Sequence, residues 1–173
     1  MGDDTFVVAE GRGLTFVQLR RLPEDPDTLR AWVVDAVKDD LHRSVSADIL
    51  DYNVAEVLAN LLVDVPAPPG VRAAAYRALA DMPNVTSTGP TRDELGRAGV
   101  GILIDTGAMA GAVFPGGRRF KAGELTRKLI IDPATSYVLA SQTIIGERSD
   151  PFSGTLILEV GWTDEKPHKP ALP

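Results

Sequence analysis

The side chains with which this chain could do chemistry are few and scattered. It has two histidines, His42 and His168, and no cysteine. His42 follows Asp39 and Asp40, a pattern that would suit a general base oriented by a carboxylate. A loop histidine at the end of a helix, where the dipole favours its charge, is the stronger reading. His168 stands between Lys166 and Lys169 in a proline-rich tail and reads as solvated. Asp35, Asp39 and Asp40 fall near His42 without a recognisable metal-ligand spacing. Asp48, Asp51 and Tyr52 are the acid–base candidates, and Asp51 nearly shares a helix side with Glu56. Such work needs one carboxyl buried beside a substrate, and solvation on a helix surface is the stronger reading. No serine lies in a G-x-S-x-G elbow. The glycine-rich Gly107–Gly117, followed by Arg118 and Arg119, leads to another strand rather than to a helix N-terminus. It therefore reads as a flexible insertion and not as a phosphate cradle.

Composition narrows the functions further. The absence of cysteine removes disulfides, thiolate metal sites and thiol nucleophiles together. A net charge of −6 argues against nucleic acid as a partner. No run approaches the roughly 18 apolar residues of a membrane span, and the acidic start Met1-Gly2-Asp3-Asp4 reads as carrying no signal peptide. A length of 173 residues fits one domain over 1–165 with an extended tail over 166–173.

The elements that must position these residues are legible in order. Thr5–Ala9 and Leu14–Arg20 read as a hairpin around Gly11-Arg12-Gly13. Asp25-Pro26-Asp27 reads as a helix start, with Leu29, Trp32, Val33, Ala36 and Val37 on one face. Ser46 is placed to cap a second helix carrying Ile49, Leu50, Val54, Val57, Leu58, Leu61 and Leu62. Pro69 suits the first position of a third, which Pro83 stops. Beyond Asn84 the period falls to two. Val85–Thr88, Val100–Asp105, Lys128–Asp132, Tyr137–Ile145 and Thr155–Trp162 read as strands, with Asp132-Pro133 as a hairpin turn and Thr106–Glu124 as a long surface loop. Helices segregated from antiparallel strands predict an α+β fold: a curved antiparallel meander, half-barrel-like, with about three helices on one face. Trp32, Tyr52 and Tyr76, one from each helix, could line a cavity between helices and sheet, although core packing is the default for such aromatics.

Several phrases carry a resemblance. LPEDPDTLRAWV (Leu22–Val33), VLANLLVDVPAPPGVRAAAYRALADMPNV (Val57–Val85), GRAGVGI (Gly96–Ile102), LIIDPATSYVLASQTI (Leu129–Ile144) and VGWTDEKP (Val160–Pro167) resemble an actinobacterial family of uncharacterised proteins. Its members usually carry a membrane anchor and an extracytoplasmic domain, and many are encoded beside extracytoplasmic-function sigma factors. The Asp-Pro-x-Thr turn is also similar to that of the lipoprotein-carrier (LolA/RseB-like) fold, whose curved sheet wraps helices and holds acyl chains. The chain departs from the family in lacking the anchor, in having Ser136-Tyr137-Val138 where Gly-x-Leu is usual, and in its long glycine-rich loop. By resemblance the location is extracytoplasmic; it is cytoplasmic if this start is native.

These observations predict a non-catalytic module that binds or senses a ligand or partner, set by resemblance in sigma-factor-linked envelope signalling. The ligand would be an apolar small molecule or lipid, or a protein partner, with Trp32, Tyr52 and Tyr76 as contacts and no cofactor or metal. An unpaired sheet edge would make a homodimer a natural consequence. The alternative is a small cavity enzyme (isomerase, cyclase or hydrolase) using one acid–base residue among Asp48, Asp51 and Tyr52.

Overall fold

The computed structural model describes residues 5–9, 12–41, 44–107, 119, 121, 123–146 and 151–160. His42, His168, Trp162 and most of the glycine-rich loop lie outside the described residues. The chain builds two strands, β1 (Thr5–Ala9) and β2 (Arg12–Thr15), then helices α1 (Phe16–Leu19), α2 (Pro26–Leu41), α3 (Ala47–Val63) and α4 (Pro69–Ala80). Five strands follow: β3 (Val85–Arg92), β4 (Ala98–Asp105), β5 (Leu125–Ile131), β6 (Val138–Ile145) and β7 (Ser153–Leu156).

Local chemistry sets the helix boundaries. Asp25 Oδ1 accepts from the Thr28 amide at 2.9 Å and the Thr28 hydroxyl at 2.7 Å, which caps α2. Those hydrogen bonds, the hydroxyl first, hold the Asp25 carboxyl below its usual range. Pro26 and Pro69 begin α2 and α4, where a missing N–H costs nothing. Ser46 takes the N-cap position of α3 with extended backbone, but its side chain makes no capping bond. The expected strand Leu14–Arg20 is a correction: the chain leaves β2 at Thr15 and turns into the short helix α1. Thr15 Oγ1 accepts from the Gln18 amide at 3.3 Å while Gln18 Oε1 accepts from the Thr15 amide at 2.8 Å. This reciprocal capping box outweighs the β-propensity of Phe16 and Val17.

The helices lie on one face of a meander ordered β3-β4-β5-β6-β7, every neighbouring pair antiparallel. The two end strands are not paired with each other, so the sheet is open. Ile102 opposite Leu129 and Val100 opposite Ile131 set the register of β4 on β5. Ile102, Ile104, Leu129, Ile131 and Val138 join Leu29, Val33, Leu58, Leu61, Val71 and Leu79 in one core. On the opposite face Ile130 is fully buried. It fits because Gly99 lacks a side chain: a Cβ there would stand 2.8 Å from Ile130 Cγ2. Bulges in β3 (Ser87 to Gly89) and opposite Ile130/Ile131 in β6 bend the sheet.

The β6 bulge is filled by Arg97. Its guanidinium donates to the Leu139 carbonyl at 2.9 Å and the Ile157 carbonyl at 2.8 Å, while Nε donates to Asp93. Asp93 Oδ1 in turn accepts from the amides of Leu95 at 3.0 Å and Arg97 at 2.9 Å. Burial pushes the Asp93 pKa up, but the bonds and charge of Arg97, with the Leu95 amide, outweigh it and leave the carboxyl below its usual range. A carboxyl depressed in the folded state stabilises above its unfolded pKa, about 4, and loses that contribution as pH falls through the folded value. Asp93→Asn is expected to remove about 2 kcal/mol from the unfolding free energy at neutral pH. In urea melts the difference from the native chain should shrink as pH falls below about 4; a pH-independent difference contradicts this.

Candidate functional site

A groove of about 820 Å³, bounded by described residues, lies at one end of the helix–sheet sandwich. Its apolar walls are Phe6 and Phe16, Leu62 and Val63 at the end of α3, the linker Val65–Pro69, Ala73 on α4, Val138 on β6, and Ile157 and Val160 beyond β7. Among the described residues Arg20 and Arg72 are its charged lining side chains, and none of its lining residues there carries a carboxylate.

Two stiff segments shape the opening. Pro66, Pro68 and Pro69 cannot continue α3, and the Ala67 amide closes a tight turn on the Val65 carbonyl at 2.8 Å. Facing the linker is the Asp132–Tyr137 hairpin turn. Asp132 accepts from the Thr135 hydroxyl at 2.7 Å and the Ala134 amide at 2.9 Å, and these bonds hold its carboxyl below the usual range. The Ser136 amide donates to the Asp132 carbonyl, and the Asp132 amide to the Tyr137 carbonyl, both at 2.8 Å. Ser136 is held at φ 59, a left-handed conformation uncommon outside glycine and asparagine.

Arg72 ties the two sides together. It donates to the Ser136 carbonyl at 3.0 Å, and its guanidinium carbon sits 4.0 Å from the centre of the Tyr137 ring, a cation–π distance. Burial draws its pKa below the ordinary guanidinium value, partly offset by Tyr137. The group nonetheless remains a cation at any physiological pH.

The residues singled out from sequence are placed elsewhere. Trp32 and Tyr76 are half-buried against the core, and neither they nor Tyr52 lines the groove. Asp48 is exposed in the first turn of α3, and Asp51 is half-buried beside Tyr52. Asp39 and Asp40 lie 3.4 Å and 3.7 Å from the Arg12 guanidinium. Glu56 reaches across to the sheet. It lies one turn from Tyr52 and from Asn60, and its carboxylate accepts from Arg127 of β5 at 2.8 Å. Arg127 also reaches Asn60 at 3.1 Å and Ser141 at 3.2 Å, forming a polar bridge between α3 and the sheet. Sequence reasoning missed it, although the i, i+4 ladder Tyr52, Glu56, Asn60 and the position of Arg127 two residues from Leu129 on one strand face were its signals. Burial, then the Glu56 charge, push the Tyr52 phenol up to about 12, against a smaller opposing effect of Arg127. It keeps its proton through the neutral range and is a donor rather than a base. Among the described residues no three metal-ligating side chains gather in one place, and no helix is long and apolar enough to cross a membrane. A second, shallower hollow of about 280 Å³ lies by Asn84, Asp105 and Thr126.

Comparison of the chain with family models, with curated proteins and with solved structures gave no match.

Two expectations follow from this geometry. In alkaline titration followed by tyrosinate absorbance, one phenol should ionise near 12 and be lost in Tyr52→Phe; an unchanged curve contradicts the assignment. At Ser136, a β-branched residue cannot share the left-handed backbone without strain. Ser136→Val should therefore cost about 1–2 kcal/mol in urea melts, and Ser136→Gly should stay within about 0.5 kcal/mol because relief of strain offsets glycine's entropy. Equal effects of the two would show that the backbone at this turn is not constrained.

Proposed function

We propose that this domain is a non-catalytic binding or sensing module whose site is the groove between the proline linker and the Asp132–Tyr137 turn. The observation that carries the reading is the groove itself. Its volume of about 820 Å³ lies in the range of small-molecule sites, and its walls are apolar with a few polar groups at the rim. An apolar small molecule or lipid is the ligand this surface suits. The enclosing segments are braced by their own hydrogen bonds, so little ordering would oppose binding. Asp48, Asp51 and Tyr52, the residues of the enzyme alternative, lie outside the lining, and no specific observation favours that alternative. The resemblance of Leu22–Val33 and Leu129–Ile144 to the sigma-factor-associated envelope family supports a sensing role in an envelope circuit.

Nile red, an uncharged apolar dye, tests the site directly. It should bind the native protein with a fluorescence increase. Ala73→Trp, which fills the groove from α4, should weaken binding at least about tenfold, equivalent to about 1.4 kcal/mol, while circular dichroism stays unchanged. Dye binding that survives the substitution, or no binding to the native chain, overturns the proposal.

A further inference from the structure

The groove carries the opposite charge from the chain around it. The protein bears 24 acidic against 18 basic side chains, yet the charged residues lining the groove are Arg20 and Arg72. At the start of α4 the Glu24 carboxylate rests on Gly70 and does not line the groove. Among the described residues no lining carboxylate neutralises the positive field at the opening.

Arg72 is built as a fixed cation rather than a mobile one. Its ring contact with Tyr137 and its bond to the Ser136 carbonyl set the guanidinium plane. The bond to the Ser136 carbonyl uses one of five N–H donors, and the Nε is buried without an acceptor among the described residues. A guanidinium presents its donors as a planar fork matched to a carboxylate, and an immobilised fork loses little freedom on binding one. The strained Ser136 belongs to the same arrangement: its left-handed turn aims the carbonyl at Arg72, and strain of this kind collects where a binding group must be held.

Resting on the reading of the groove as a ligand site, we propose that its ligand is a monoanionic amphiphile. An apolar body would lie along Leu62, Val63, Val138 and Ile157, and one carboxylate would sit on Arg72, with Arg20 adding to the field. The apolar walls supply affinity and the arginine supplies the choice of head group, because a hydroxyl accepts without charge and without matching the fork, and an ammonium is repelled.

Calorimetry on the native protein with dodecanoate, dodecan-1-ol and dodecylamine tests this without any substitution. Dodecanoate should bind at least about tenfold more tightly than the alcohol, and the amine most weakly. Arg72→Gln should reduce the ratio of dodecanoate to alcohol affinity to about one, and Arg20→Gln should lower that ratio by less. If the alcohol or the amine equals dodecanoate, the head-group assignment falls and the apolar site stands. If none of the three binds, and Nile red does not either, both fall. A short apolar peptide with a free C-terminal carboxylate that displaces dodecanoate at lower concentration would overturn the amphiphile in favour of a peptide partner.

Discussion

The packing of α3 against the inner face of β4, β5 and β6 is the constraint on which the rest of the structure depends. Leu58 and Leu61 on the helix and Ile104 and Leu129 on the sheet are fully buried, each contributing about 1.5–3 kcal/mol through burial. An open sheet has no second layer to support this face, so the helices must supply it. That requirement explains the wide apolar surface of α3, which is covered by α2 and α4 on its flanks and by β1 near its end. It also explains the polar bridge at Arg127. A strand residue that alternates onto the covered face must bring its own partners, and Glu56 and Asn60 provide them.

The groove follows from how this layer ends. α3 stops at a proline-rich linker that cannot be helical, and α4 starts again at Pro69, leaving a gap beside the β5–β6 hairpin. In a core of ordinary density such a gap would close. It stays open because both sides are held by local bonds: the linker by its tight turn, and the hairpin by Asp132 and by Arg72 reaching across. Close to the same turn, Arg97 performs the corresponding task by filling the bulge in β6. One arginine completes the sheet's curvature, and the other faces a hollow.

Much of this fold was legible in the chain. Asp25-Pro26 and Pro69 marked helix starts to the residue, and the change from helical to alternating periodicity at Asn84 marked where the sheet begins. What sequence could not resolve had physical reasons. The helix at Phe16–Leu19 hid behind β-favouring residues, although Thr15 and Gln18 have the spacing of a capping box. Strand β3 runs on to Arg92 because Gly89 takes up a bulge and Pro90 stands on an edge strand, where its missing donor is tolerated. Both residues read as breakers when met singly. The site was the least legible part. Its walls come from β1, α1, two helices, a hairpin turn and the segment beyond β7, and no short pattern encodes that meeting. Trp32, Tyr52 and Tyr76 attracted notice by type, whereas Arg72 and Tyr137, which do face the groove, were separated by most of the sheet in sequence.

The most direct measurement is a methyl NMR titration of the native protein with dodecanoate. Saturable shifts are expected on Leu62, Val63, Val138 and Ile157, with those of the helix core beside Trp32 and Tyr76 unmoved. Shifts centred on that helix core, or none at saturating ligand, would contradict this.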